Sequence, residues 1–181
     1  MLIPKADDLS PPFNEQEGDI STWQFVAGEC QIEDYQNLIL LESVGWSTSA
    51  TVRNASDGRR SLDSPKVSSI SIHRRIDLSS AYLTWAAVTS AVGEYPWQIY
   101  FLKGLDDSDG TGSNMQSLFL TVIIVDPVVT SYTFNSTEGE GEEDIEINAT
   151  AIIWNYQQID EDQNIEGQRE ITWDMSQGEI C

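Results

Sequence analysis

Leu118-Phe-Leu-Thr-Val-Ile-Ile-Val-Asp-Pro-Val-Val-Thr-Ser-Tyr-Thr-Phe134 leads, through an acidic turn, into Asp144-Ile-Glu-Ile-Asn-Ala-Thr-Ala-Ile-Ile-Trp-Asn-Tyr156, and later into Ile171-Thr-Trp-Asp174. These are runs of β-branched and aromatic residues punctuated by turn formers, and they read as strands. Val122 to Val125 is apolar on both faces, as expected of a strand buried between two layers. Asp126-Pro127 marks a bend, where proline is tolerated at a strand's first residue. No Lys or Arg occurs from Gly104 to Gln168. Such a body builds surfaces and pushes its polar chemistry into turns.

The upstream half continues the strand plan. Leu38 to Leu41 opens a strand region running through Val44 and Trp46 to Val52, with Gly45 as a bulge or bend. Arg53 to Lys66 has loop composition throughout. In Val67-Ser-Ser-Ile-Ser-Ile-His-Arg-Arg75, Ile70 and Ile72 share one face, and Ser69, Ser71 and His73 the other. One helix is expected from Leu78 to Val92. Its stripe is Leu78, Tyr82, Trp85, Thr89 and Val92, and Gly93 ends it. Trp97 to Lys103 is a strand, and Leu105 to Ser117 a long polar loop. Residues 1–27, with Pro4, Pro11 and Pro12, read as an N-terminal arm holding one short strand at Trp23 to Val26; residues 28–181 form a single domain.

Composition narrows the function. The 181 residues contain 9 basic and 30 acidic side chains, a net charge of −21. This repels nucleic acid and anionic membranes. Six of the nine cations lie between Arg53 and Arg75. The N-terminus lacks the apolar core of a signal peptide, and the run at Leu118–Val125 falls far short of the roughly 20 residues that span a bilayer. The expectation is a protein made in the cytoplasm, with no membrane insertion. Cys30 and Cys181 show no metal-ligand spacing and read as free thiols.

Catalytic patterns are weak. His73 is the only histidine, and no Ser or Cys pattern accompanies it. Asp106-Asp-Ser-Asp-Gly-Thr-Gly112 invites a calcium reading, but an aligned EF-hand loop puts Leu105 and Gln116 at its two end positions. The expectation is no enzyme, no catalytic residue, no metal and no cofactor.

An ordered series of segments resembles one family. Gly28-Glu29 and Leu38-Ile-Leu-Leu-Glu-Ser-Val-Gly-Trp-Ser47 are similar to its opening strands. Val67-Ser-Ser-Ile-Ser-Ile-His-Arg-Arg-Ile-Asp-Leu-Ser-Ser80 is similar to the run leading into its helix. Phe119-Leu-Thr-Val with Val129-Thr-Ser-Tyr-Thr-Phe134, then Ile145 to Tyr156, then Trp173-Asp174, are similar to its later strands. The family is Hcp, the ring-forming tube proteins of type VI secretion, which share their fold with phage tail tube proteins.

The resemblance implies a mainly β, barrel-like domain of about eight strands with one main helix. It implies hexameric rings stacked into a hollow tube, sheath and spike or baseplate proteins as partners, and effector or DNA as cargo. Assembly in the bacterial cytoplasm would precede secretion or incorporation in a virion tail. A phage tail, a secretion tube and an extracellular injection particle all fit. The rival from another class is a carbohydrate- or protein-binding β-sandwich module. In the family an extended loop near residues 53–66 reaches the next ring, which makes Arg53, Arg59, Arg60 and Lys66 candidate stacking residues. Glu138, Glu140, Glu142, Glu143 and Asp144 are the candidate acidic interface or lumen.

Overall fold

The computed structural model describes residues 1–3, 26–54, 60–104, 116–137, 139–160 and 165–180. In chain order they form β1 (Ser43–Gly45), β2 (Thr48–Ser49), β3 (Val52–Asn54), β4 (Arg60–Leu62), β5 (Lys66–Val67), β6 (Ile70–Arg75), α1 (Ser80–Thr89), β7 (Trp97–Gly104), β8 (Gln116–Val125), β9 (Val128–Thr137), β10 (Glu140–Asn148), β11 (Ala151–Ile159), β12 (Ile165–Asp174) and β13 (Glu179–Ile180). The fold is mainly β with one helix. Nine strands make two main sheets, ordered β1-β6-β10-β9 and β13-β12-β11-β8-β7, and two small ladders pair β2 with β5 and β3 with β4. Among the described residues neither sheet closes on itself, so the barrel they form is open.

Alternation builds the core. On β6 and β10, Ile70, Ile72, Ile145 and Ile147 point inward; on β8 and β11, Val122, Ile124 and Ile152 do the same, all at most 2 % exposed. They form one cluster with Leu83 and Ala86 of α1. Each such side chain contributes about 1.5–3 kcal/mol on burial. The strands expected at Trp97 and in the back half therefore stand where the apolar pattern put them.

Several expectations need correction. The helical period is real, but the buried face is shifted: Leu78, Trp85, Thr89 and Val92 are exposed, Tyr82 alone of the expected stripe packs on the core, and Leu83 and Ala86 are the fully buried positions. The helix stops at Thr89, where Ser90 adopts the left-handed conformation (φ 50°). Gly93 serves a different purpose. Its N–H donates to the Pro127 carbonyl at 2.8 Å, and a Cβ there would lie 2.6 Å from Pro127 Cγ. The loop expected from Arg53 to Lys66 contains strand residues of β3, β4 and β5. The acidic turn is mostly strand: β10 begins at Glu140, and Gly139 makes the turn (φ 92°).

Leu38 to Leu41 is not regular strand, which starts at Ser43. Instead the Ile39 N–H donates to the Met1 carbonyl at 3.0 Å. Leu2 exchanges two backbone hydrogen bonds with Gln98 of β7, at 2.8 and 3.0 Å. Met1, Leu2 and Ile3 are thus buried, a packing role that the arm reading missed. Gly28 lies hard against Leu38, whose carbonyl oxygen would sit 2.5 Å from an added Cβ. Trp23 to Phe25 and the Asp106–Gly112 loop lie outside the described residues.

A Gly93→Ala substitution forces methyl against proline ring, and overpacking of this kind costs about 1–3 kcal/mol. Gly104→Ala meets nothing within 4 Å and leaves stability unchanged. Urea midpoints of the two variants measure the difference.

Candidate assembly surfaces

The alternation that turns Ile70 and Ile72 inward also turns Arg74 inward. Its side chain is fully buried. Nε donates to the Arg75 carbonyl at 3.0 Å and faces Glu143 Oε1 at 3.1 Å; Nη1 donates to Ser79 Oγ at 2.6 Å; Nη2 pairs with Asp77. Glu143, itself buried, accepts from the Tyr132 hydroxyl at 2.7 Å and from Ser80 Oγ at 3.3 Å. Burial, and secondarily this bond to Glu143, holds the Tyr132 phenol above its ordinary range. Asp77 Oδ1 accepts from the Ser79 N–H at 2.7 Å, beside the start of α1, where the helix dipole favours a carboxylate. The cluster therefore ties β6, β9, β10 and the helix start together. It holds no activated nucleophile; it clamps the helix to the sheet.

The opposite face of the same sheet is acidic. Glu140, Glu142, Asp144 and Glu146 project outward from β10, roughly 7 Å apart at a strand's repeat. Thr137, Asn135, Thr133 and Ser131 of β9 stand beside them in register. His73 and Arg75 of β6 supply the positive charge. His73 Nδ1 lies 2.8 Å from Asp144 Oδ1, and Nε2 lies 3.7 and 3.9 Å from Glu42 and Glu142. Arg75 Nε donates to Glu42 at 2.9 Å, and Nη1 faces Glu140 at 3.5 Å. The hydrogen bond to Asp144, with the carboxylates around it, raises the His73 pKa.

These facts sort the residues singled out in the sequence. Glu140, Glu142 and Asp144 do come together on one solvated face. Glu143 does not join them: the pleat turns it inward onto Arg74. Glu138 lies outside the described residues. Arg53 and Arg60 sit in the β3–β4 ladder, opposite Ser61 and Asn54 respectively, and Lys66 sits in β5 opposite Ser49. Arg60 and Lys66 are exposed; Arg59 lies outside the described residues. Arg74 and Tyr132 were missed, although period-two alternation from Ile70 and Ile72 points straight at Arg74.

Among the described residues, no group of three or more His, Cys, Asp and Glu side chains is placed to hold a metal ion. Among the described residues, the one helix is not long and apolar enough to cross a membrane.

The sequence of residues 15–156 matches the family described as type VI secretion system effector, Hcp. The chain belongs to the Hcp family. Solved structures agree in fold. One type six secretion system protein is 18 % identical, with a TM-score of 0.72 over 86 % of this chain and 94 % of that one. A mutant Hcp1 from E. coli EAEC 042 is 14 % identical, with a TM-score of 0.67 over 83 % and 90 %. Hcp1 from Salmonella typhimurium is 13 % identical, with a TM-score of 0.61 over 86 % and 93 %. No curated protein matches the sequence. The Hcp match begins upstream of Gly28, inside the stretch read as an arm.

Two outcomes follow from the charges. Arg74→Met leaves Glu143 and Asp77 buried without their cation and costs about 3–5 kcal/mol; adding Glu143→Gln recovers part of it, as read from urea unfolding. A His73 pKa raised in the fold gives stability that is fully present below the unfolded value of about 6.5 and is lost as pH rises through the folded value. The stability gap between wild type and His73→Gln is therefore widest in acid below the unfolded value and closes as pH rises through the folded one, which a pH series of urea midpoints measures.

Proposed function

We propose that the chain is a structural subunit of a type VI secretion tube, forming hexameric rings that stack into a hollow conduit. The observation that carries this reading is the Hcp family match across residues 15–156. It favours a secretion tube over the phage tail that the sequence also allowed. In this reading residues 28–181 form the ring-building domain, and residues 1–27 are an arm pinned to it at Met1–Ile3. Effector proteins are the cargo, and sheath and spike proteins the outer and terminal partners. The chain performs no catalysis.

Open sheet edges support the same reading. Unpaired edge strands invite pairing with other chains unless they are covered or used, and head-to-tail contact around a closed axis uses them. Stacking of rings with −21 per subunit further requires local charge complementarity. The antiparallel ladders of β2 with β5 and β3 with β4 pair residues 48–54 with residues 60–67 as a two-stranded arm bearing Arg53, Arg60 and Lys66. We assign this arm, with Arg59, to the contact between rings. The carboxylate row of β10 is the surface that the cationic arm meets, or the wall of the lumen.

Negative-stain micrographs of purified protein test the function: rings about a central hole are expected, and a monomer with glycan affinity overturns it. Arg59→Glu with Arg60→Glu leaves rings and stops their stacking. Tubes of this double variant at low salt, seen by light scattering and microscopy, remove the arm from the ring-to-ring contact.

A further inference from the structure

The two main sheets bring their end strands to one groove. β7 ends the five-stranded sheet and β1 the four-stranded one. A groove of about 300 Å³ is lined by Tyr100 and Leu102 of β7, by Ser43 and Val44 of β1, and by Leu40 and Leu41 just before it. Leu2 shows how β7 takes a strand. It exchanges two backbone hydrogen bonds with Gln98, so Gln98 turns its peptide groups away from β8. Two residues on, in unbroken register with β8, Tyr100 turns its N–H and C=O the same way. Among the described residues no backbone group pairs with them.

This edge is not defended. Exposed edge strands ordinarily carry charge or proline that discourages pairing, yet neither occurs from Trp97 to Leu102. Across the groove Leu38 to Leu41 is likewise uncharged, and Leu40 is 55 % exposed. The rim decides the partner. Glu42, held by Arg75 at 2.9 Å, is the one charged side chain in the lining. The turn that supplies Ile32 and Tyr35 to the wall adds Glu33 and Asp34, both exposed. A second copy, of net charge −21, brings like charge to that rim, whereas a basic segment is drawn to it.

We propose that this groove binds an extended segment of another protein, apolar at alternate positions and flanked by Lys or Arg, which adds a strand to β7. Its backbone bonds to Tyr100 supply affinity, and its alternate side chains enter the groove and supply selectivity. The site belongs to the single subunit and does not rest on the tube reading.

The probe is a synthetic peptide of alternating Val and Thr flanked by Lys pairs, titrated into the full chain by calorimetry. Binding is expected, together with slowed hydrogen exchange at the Tyr100 amide. N-methylation of the peptide's Val residues, or replacement of its Lys by Glu, abolishes binding. Leu40→Lys, at an exposed position, weakens it about tenfold or more, equivalent to about 1.4 kcal/mol; should that variant lose its fold, Glu33→Lys carries the same test. No binding of the Lys-flanked peptide, equal binding of the N-methylated or Glu-flanked one, or binding indifferent to the folded variant overturns the proposal. So does a Tyr100 amide protected without peptide in assembled protein but not in dilute monomer, since a second copy then fills the groove.

Discussion

A guanidinium taken wholly out of water must have its charge and its donors matched, and Arg74 dictates much of this molecule by that need. Removing such a charge from solvent costs several kcal/mol before any partner is counted. Asp77 and Glu143 supply the counter-charge and Ser79 an acceptor for Nη1, while Nη2 faces Asp77 without a hydrogen bond; these partners come from two points of the chain's path. Asp77 and Ser79 fix how the chain leaves β6, and Glu143 fixes the register of β10 against it. With both ends held, α1 can enter only at one rotation, the one that sends Leu83 and Ala86 into the core. The outward stripe is a consequence of that rotation.

How far the sequence reveals this depends on the kind of pattern. Period two is nearly self-sufficient: Val122, Ile124, Ile145, Ile147 and Ile152 declare their faces locally, and the strands stand where they were expected. The helix shows what periodicity lacks. Its spacing was legible, but a stripe of Leu, Trp and Val reads alike whether its partner is the protein's own sheet or another molecule. Glu143 was misread for a related cause, since composition assigns an acidic tract to solvent while the pleat sends alternate members inward. The packing of Met1–Ile3 depends on Ile39 and Gln98, far along the chain, and nothing local signals it. The acidic face was legible as charge, but the placing of His73 and Arg75 within it required the register of β6 against β10.

The distribution of charge is as informative as its total. A row of carboxylates, Glu140, Glu142, Asp144 and Glu146, lines the outer side of the four-stranded sheet, with His73 and Arg75 set beside it. The helix is left neutral, and the small ladders carry exposed cations. Three surfaces of different electrical character thus occupy one small domain. Such segregation restricts the ways in which identical copies can meet, because most random encounters bring like charges together.

The arm formed by residues 48–54 and 60–67 has a further consequence. Its ladders are two and three residues long, they pair only with each other, and a lone two-stranded ribbon is marginal in water. It is therefore expected to open more readily than the main sheets, with Val67 its tie to the core. An element of that kind is cheap to order once a surface receives it, and its amides report the event directly. Under the proposed role of the arm, hydrogen exchange along it would register growth of the assembly, while the core amides stayed silent.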